Sequence, residues 1–137
     1  MPRITELLSA PTTWPGGARL ALSIVVNVEE GAEQSVCDGD PRPEPVDELG
    51  VVLRHAQRNY ANESNYLYGI RAGAPRILSL LSRYGIEATF TCAALSLERS
   101  PNLAKEIITA GHEVCAHGLR WIHQHRMNET EEQAFID

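Results

Sequence analysis

Three short apolar, β-rich runs set the limits on what this chain can fold into: RLALSIVVNV at 19–28, EATFTCAA at 87–94 and HEVCAHG at 112–118. Each ends where polar or small residues begin, and the intervals before the second and third contain helix signals. GAPRILSLLSRYG carries Ile77, Leu78, Leu80 and Leu81 at helical spacing and stops at Gly85. SPNLAKEIITAG has Ser100 at the cap, Pro101 at the first helical position and Gly111 as its stop. Strands that alternate with helices of this length pair in parallel through right-handed crossovers, and such sheets carry their sites at the C-terminal ends of the strands. The expected class is therefore α/β with about three parallel strands and crossover helices. A closed barrel of this kind takes about eight strands and roughly 200 residues or more, so the 137-residue chain reads as part of a larger architecture.

Residues 1–18 read as an N-terminal extension, ahead of an α/β unit over 19–137. Between the first strand and the first helix, residues 29–73 read as a long polar loop, of a length that is usually functional or disordered. Its middle, VDELGVVLRHAQRN, has Leu49, Val52 and Leu53 on one side and is expected to form a short helix. The closing NETEEQAFID begins like the next crossover helix.

Charge and composition exclude several function classes. Twelve Lys plus Arg against eighteen Asp plus Glu give a net charge of −6 without a basic block, so no nucleic-acid partner is expected. The longest apolar run, around ALSIVVNV, is far shorter than the roughly 20 residues of a spanning helix, and MPRITELLSAPTTWPGG lacks an apolar core of signal-peptide length. No membrane partner and a cytoplasmic location are expected. Cys37, Cys92 and Cys115 are an odd, widely spaced set that suits neither a disulfide framework nor a structural zinc knuckle. Cys92 and Cys115 are expected to be buried as small hydrophobes.

The residues that could carry chemistry stand at the strand ends. Glu29 and Glu30 follow ALSIVVNV directly. Neighbouring residues leaving a strand point to opposite sides, so one carboxylate can act as a general base or metal ligand while the other orients it or meets a substrate. A solvated acidic turn before Gly31 is the equal alternative. His117 closes the third run, where Gly118 permits a close backbone approach; a hydrogen-bonded structural histidine is the competing reading. His112 begins that run, at the opposite end of the sheet, and reads as structural. His123 and His125 have the spacing of a chelating pair but lie in a polar loop beyond the strand.

Together, NVEEG, the run RILSLLSRYGIEATFTCAALSLERSPNLAKEIITAGHEVCAHG and LRW resemble the N-terminal part of the polysaccharide deacetylase (NodB homology) superfamily, from Trp14 to about His125. VVNVEEGAE, ESNYLYGIRAG and HGLRW are most similar to its allantoinase-like and peptidoglycan-deacetylase-like branch. The resemblance implies part of a distorted (β/α) barrel that hydrolyses carbon–nitrogen bonds of N-acetyl sugars or related amides, with the remaining strands and later motifs beyond residue 137. Metal-dependent members use a TFDDG-like motif for a base and a ligand, and an H-x-x-x-H motif for two more ligands. Carried onto this chain, Glu29 matches the base, Glu30 the acidic ligand and His117 the first histidine.

Two departures stand out: both aspartates are glutamates here, and Trp121 occupies the second histidine's position. A divalent, zinc-type cofactor held by Glu30 and His117 alone would lack the usual third protein donor. Without a metal, water activated by a carboxylate needs charge stabilisation from cations or backbone donors. Arg71 and Arg120 are candidates for that charge, although surface ion pairing suits them equally. Glu63, Tyr68 and Trp121 are candidate walls of a pocket for a small polar amide. The sequence leaves three readings: a hydrolase of linear or cyclic amides, including N-acetyl sugars; a truncated, non-catalytic α/β module that binds a ligand or partner or self-associates; and a metal-binding domain using His117, His123 and His125.

Overall fold

The computed structural model describes residues 14–45, 50, 53 and 55–136. Strands β1 (Val25–Val28), β2 (Thr89–Cys92) and β3 (Glu113–Ala116) form one sheet in the order β1-β2-β3. Both pairings are parallel, with Val25, Thr89 and Glu113 in one row and Val28, Cys92 and Ala116 in another. The expected α/β class, with three parallel strands joined through helices, is the one observed. Each strand occupies only part of its apolar run, β1 the C-terminal end and β2 and β3 the middle.

The first crossover differs from its expected form. Helices α1 (Tyr60–Tyr68) and α2 (Ala74–Tyr84) are joined without a break by a π-helical turn, Gly69–Gly73, so the last fourteen residues of the supposed polar loop are helical. Asn59 caps α1, its side-chain oxygen accepting from the Asn62 N–H at 3.2 Å. The π turn precedes Pro75, which lacks the N–H that would continue an α-helical ladder; the Ala74 N–H instead reaches the Gly69 carbonyl. Most of the helix expected within VDELGVVLRHAQRN lies outside the described residues.

The second crossover holds α3 (Ala94–Arg99) and α4 (Pro101–Thr109), and α5 (Glu129–Ile136) follows β3. Helix α5 starts on a reciprocal cap: Asn128 accepts from the Glu131 N–H at 3.0 Å, and Glu131 accepts from the Asn128 N–H at 2.9 Å.

The core forms where one face of the sheet meets the helices. Val28, Ala88, Phe90 and Cys92 from the strand segments pack with Ala74, Leu78 and Leu81 of α2 and with Leu103 and Ile107 of α4. These helix positions recur at three- and four-residue intervals, the condition for a single buried stripe. Ile77 and Leu80, the other apolar residues that marked this helix in the sequence, lie off the stripe and are exposed. Cys92 is buried as expected, and burial, with Cys115 close by, pushes its thiol above the ordinary value. Cys115 is exposed, against expectation, because it lies on β3, which pairs only with β2 and is exposed along its whole length. Among the described residues, no helix is long and apolar enough to cross a membrane.

Candidate active site

The pleat carries β1 and β3 past their last hydrogen-bonded pairs in the same phase. Ala93 donates to the Val28 carbonyl at 3.0 Å and His117 to that of Cys92 at 2.9 Å, which extends the ladder by one row. Side chains of Glu29 and His117 therefore continue the face set by Asn27 and Cys115. His117 Nε2 lies 3.3 Å from Glu29 Oε1 across the intervening β2. The Glu29 side chain is mostly buried at 19% exposure, whereas His117 is open to solvent at 47%.

Glu30 turns toward the first crossover. One carboxylate oxygen accepts from the Glu29 N–H at 3.2 Å. Glu29 and Glu30 share a cleft of about 460 Å³ with Asn27, Asn65, Tyr66, Tyr68, Gly69 and Trp121. Trp121 is therefore a wall of the cleft, its ring edge-on to Tyr66 with centroids 6.2 Å apart. Its backbone N–H donates to the Ala32 carbonyl at 3.1 Å. The carbonyls just before it, at Gly118 and Leu119, accept from the first N–H groups of α3 at 2.9 and 3.0 Å. A helix start that has no capping side chain is thus satisfied by the loop after β3, and the same bonds aim that loop over the cleft.

The two arginines do not reach the cleft. Arg120 makes a bidentate pair with Asp40, at 2.7 and 3.2 Å, and donates to the Glu33 carbonyl at 3.1 Å. Burial raises the Asp40 carboxyl, but the Arg120 hydrogen bonds and the Ser35 N–H outweigh it and hold it below its ordinary value. Arg71 is exposed on the π turn. Of the other expected pocket walls, Tyr68 lines the cleft and accepts from Arg76 at 2.9 Å, while Glu63 pairs with Arg58 at 2.5 Å outside it. Arg99 pairs with Asp38 at 2.9 Å and donates to the Gly31 carbonyl, so together with Arg120 it fastens the loop behind Glu29 and Glu30. Within that loop Glu33 is raised above the ordinary carboxylate value by burial, against the pull of its own N–H and that of Gly31.

Sequence reasoning missed Asn27, Asn65, Tyr66 and Gly69. Asn27 had a signal, since it lies two residues before Glu29 on the same strand face. The other three lie in the segment read as loop.

As for a metal, the donor set does not fit a zinc-type centre. Among the described residues no three His, Cys, Asp or Glu side chains are grouped as ligands, and the second histidine's position is an indole. His123 and His125 lie on the exposed surface with ring centroids 5.4 Å apart and planes tilted by 54°.

A family model described as polysaccharide deacetylase matches residues 65–137. The chain is 36% identical over 114 residues to a Schizosaccharomyces pombe protein named "Putative polysaccharide deacetylase", covering 80% of this chain and 35% of that protein. It is 34% identical over 59 residues to a peptidoglycan-N-acetylglucosamine deacetylase of Bacillus cereus, covering 43% of this chain and 27% of the relative. Among solved structures, Puue allantoinase superposes with a TM-score of 0.81 at 38% identity, over 93% of this chain and 43% of that one. A probable polysaccharide deacetylase from Pseudomonas aeruginosa PAO1 gives 0.80 at 37%, over 90% and 42%. The chain spans about a third of the length of the curated relatives it matches. The family match and the strand-end arrangement agree: this chain belongs to the polysaccharide deacetylase family.

Proposed function

We propose that the chain contributes the catalytic strand ends of a hydrolase acting on non-peptide carbon–nitrogen bonds, by attack of an activated water. The observation that carries this reading is the 3.3 Å approach of His117 Nε2 to Glu29 Oε1 at the mouth of a cleft that also holds Glu30 and Trp121. Glu29 takes a proton from water as its oxygen bonds to the amide carbon. His117, 3.3 Å from Glu29, passes the proton that Glu29 has taken from water to the departing nitrogen as the carbon–nitrogen bond breaks. Glu30 and the asparagines accept from and donate to the substrate's polar edge, and Trp121 supplies a flat apolar wall. No step is routed through a metal.

A small polar amide suits the dimensions of the cleft, and the two classes suggested by the relatives are a cyclic ureide such as allantoin and an N-acetyl sugar. The test is hydrolysis of allantoin and of an N-acetylglucosamine oligosaccharide by the purified chain, beside its Glu29→Gln variant. Turnover abolished by the substitution supports the reading, and turnover of neither substrate by the wild type counts against it.

A second reading, an assembly module, is favoured by β3, all four residues of which are exposed. β3 is paired with β2 on one side only, and an uncovered outer edge of this kind invites self-association. Light scattering after size exclusion decides it: a monomer across a wide concentration range removes this reading.

A further inference from the structure

Gly69 stands where the backbone has no need of glycine. Its φ of −52° and ψ of −51° are ordinary right-handed helical values, at which alanine is the better helix former. The reason for glycine is space. A Cβ at this position would lie 2.5 Å from Glu30 Oε1, 2.9 Å from its Cδ and 3.0 Å from its Cγ, closer than real Cβ contacts allow. Glu30 is also held from its own side, where its second oxygen accepts from the Glu29 N–H. Gly73, at the other end of the π turn, offers the contrast: a Cβ there would meet only the Tyr68 carbonyl, at 3.8 Å.

We infer that Gly69 is a positioning residue for Glu30: the missing side chain of the π turn is the berth of the Glu30 carboxylate and fixes where that carboxylate stands in the cleft. Its consequence for rate rests on the hydrolase reading, but its geometric content does not. A methyl group at residue 69 drives the carboxylate out of its berth, and a misplacement of about 1 Å at a reacting centre is enough to lower turnover by up to about a hundredfold.

The experiment uses the full chain in five forms: wild type, Gly69→Ala, Gly73→Ala, Glu30→Ala and the double variant Glu30→Ala/Gly69→Ala. Two readouts are taken: the ¹³C resonance of the Glu30 side-chain carboxyl in glutamate-labelled protein, and kcat on allantoin and an N-acetylglucosamine oligosaccharide. Gly69→Ala is expected to move the Glu30 resonance well beyond any change in Gly73→Ala, and to lower kcat at least about tenfold. In the Glu30→Ala background, where every atom the methyl would meet is gone, the same substitution is expected to cost less than about threefold in the remaining kcat, a coupling that a purely structural role of Gly69 would not produce. An unmoved Glu30 resonance in Gly69→Ala overturns the proposal whether or not the protein turns over either substrate. A wild type that turns over neither substrate, combined with a displaced Glu30 resonance, overturns the hydrolase reading and leaves the berth standing. If Gly69→Ala fails to fold, the double variant must fold, because the obstruction is the Glu30 side chain; failure of both overturns the proposal.

Discussion

His112 and His117 flank the same four-residue strand, one at each end of the sheet. At the N-terminal end His112 is buried, its Nδ1 accepting from the Ala88 N–H at 3.3 Å and its ring 5.0 Å from that of Phe90. At the C-terminal end His117 is exposed and faces a carboxylate. Residue type and strand are shared, so the difference lies in what each end of a parallel sheet offers. The N-terminal end returns from a helix and is closed by the core, leaving a histidine there to satisfy a backbone N–H that water cannot reach. The C-terminal end opens into loops, where an imidazole can meet a second functional group and a ligand.

The largest expected effect lies at the open end. Glu29→Gln keeps the side chain's shape and removes its basicity, so kcat should fall by about 10²–10⁴ with no loss of thermal stability. Steady-state kinetics beside a thermal melt checks both halves; comparable activity in the variant would end the contrast between the two ends.

At the closed end the signs reverse. His112→Ala leaves the Ala88 N–H without its acceptor and opens a gap beside Phe90, which should cost about 2–3 kcal/mol in urea unfolding while leaving kcat per folded molecule unchanged. Loss of turnover without loss of stability would make His112 a site residue.

A smaller effect is expected behind the open end, at Arg120. Its alanine variant removes two hydrogen bonds to Asp40 and should cost about 1–2 kcal/mol at neutral pH. Because Asp40 titrates lower in the folded chain than its unfolded value of about 3.9, its contribution is complete above that pH and disappears as pH falls through the folded value. The acid side of the stability profile should therefore flatten in Arg120→Ala, and the cost of the substitution should shrink below about pH 4. A penalty that stays constant across this range would remove Asp40 as its source.

The mildest test sharpens the account of the cleft wall. Trp121→His places an imidazole opposite Glu30 and His117 and should tighten zinc binding by about tenfold, because a third donor completes the usual protein set. Calorimetric titration of both proteins measures it. Equal binding would mean that a histidine at 121 does not reach the two, and the correspondence with the family's metal motif would fail at this position.

Much of this arrangement was legible in the chain. Three short apolar, β-rich runs placed the strands, and Gly85 and Gly111 marked the ends of two helices, both at positive φ as helix stops require. The same strand logic put Glu29, Glu30 and His117 at one edge. Helix α1 was not legible, because YANESNYLY has no apolar stripe and its one clear signal, Asn59, caps as readily in a turn. Nor was α3, whose first N–H groups are satisfied by carbonyls 24 residues further along the chain. The fates of Arg71, Arg120 and Glu63 were open for a related reason: a long charged side chain finds its partner in space, and Asp40 and Arg58 became partners only once the loops had closed.

The sequence by itself determined the parallel α/β order and the edge on which the carboxylates and the histidine emerge, since both follow from local periodicity and the direction of the chain. Only the tertiary structure decided that Arg120 serves the loop and that Gly69 makes room for Glu30. Each of those depends on two segments distant in sequence competing for one small volume, and the outcome of that competition is set by packing, which no local pattern encodes.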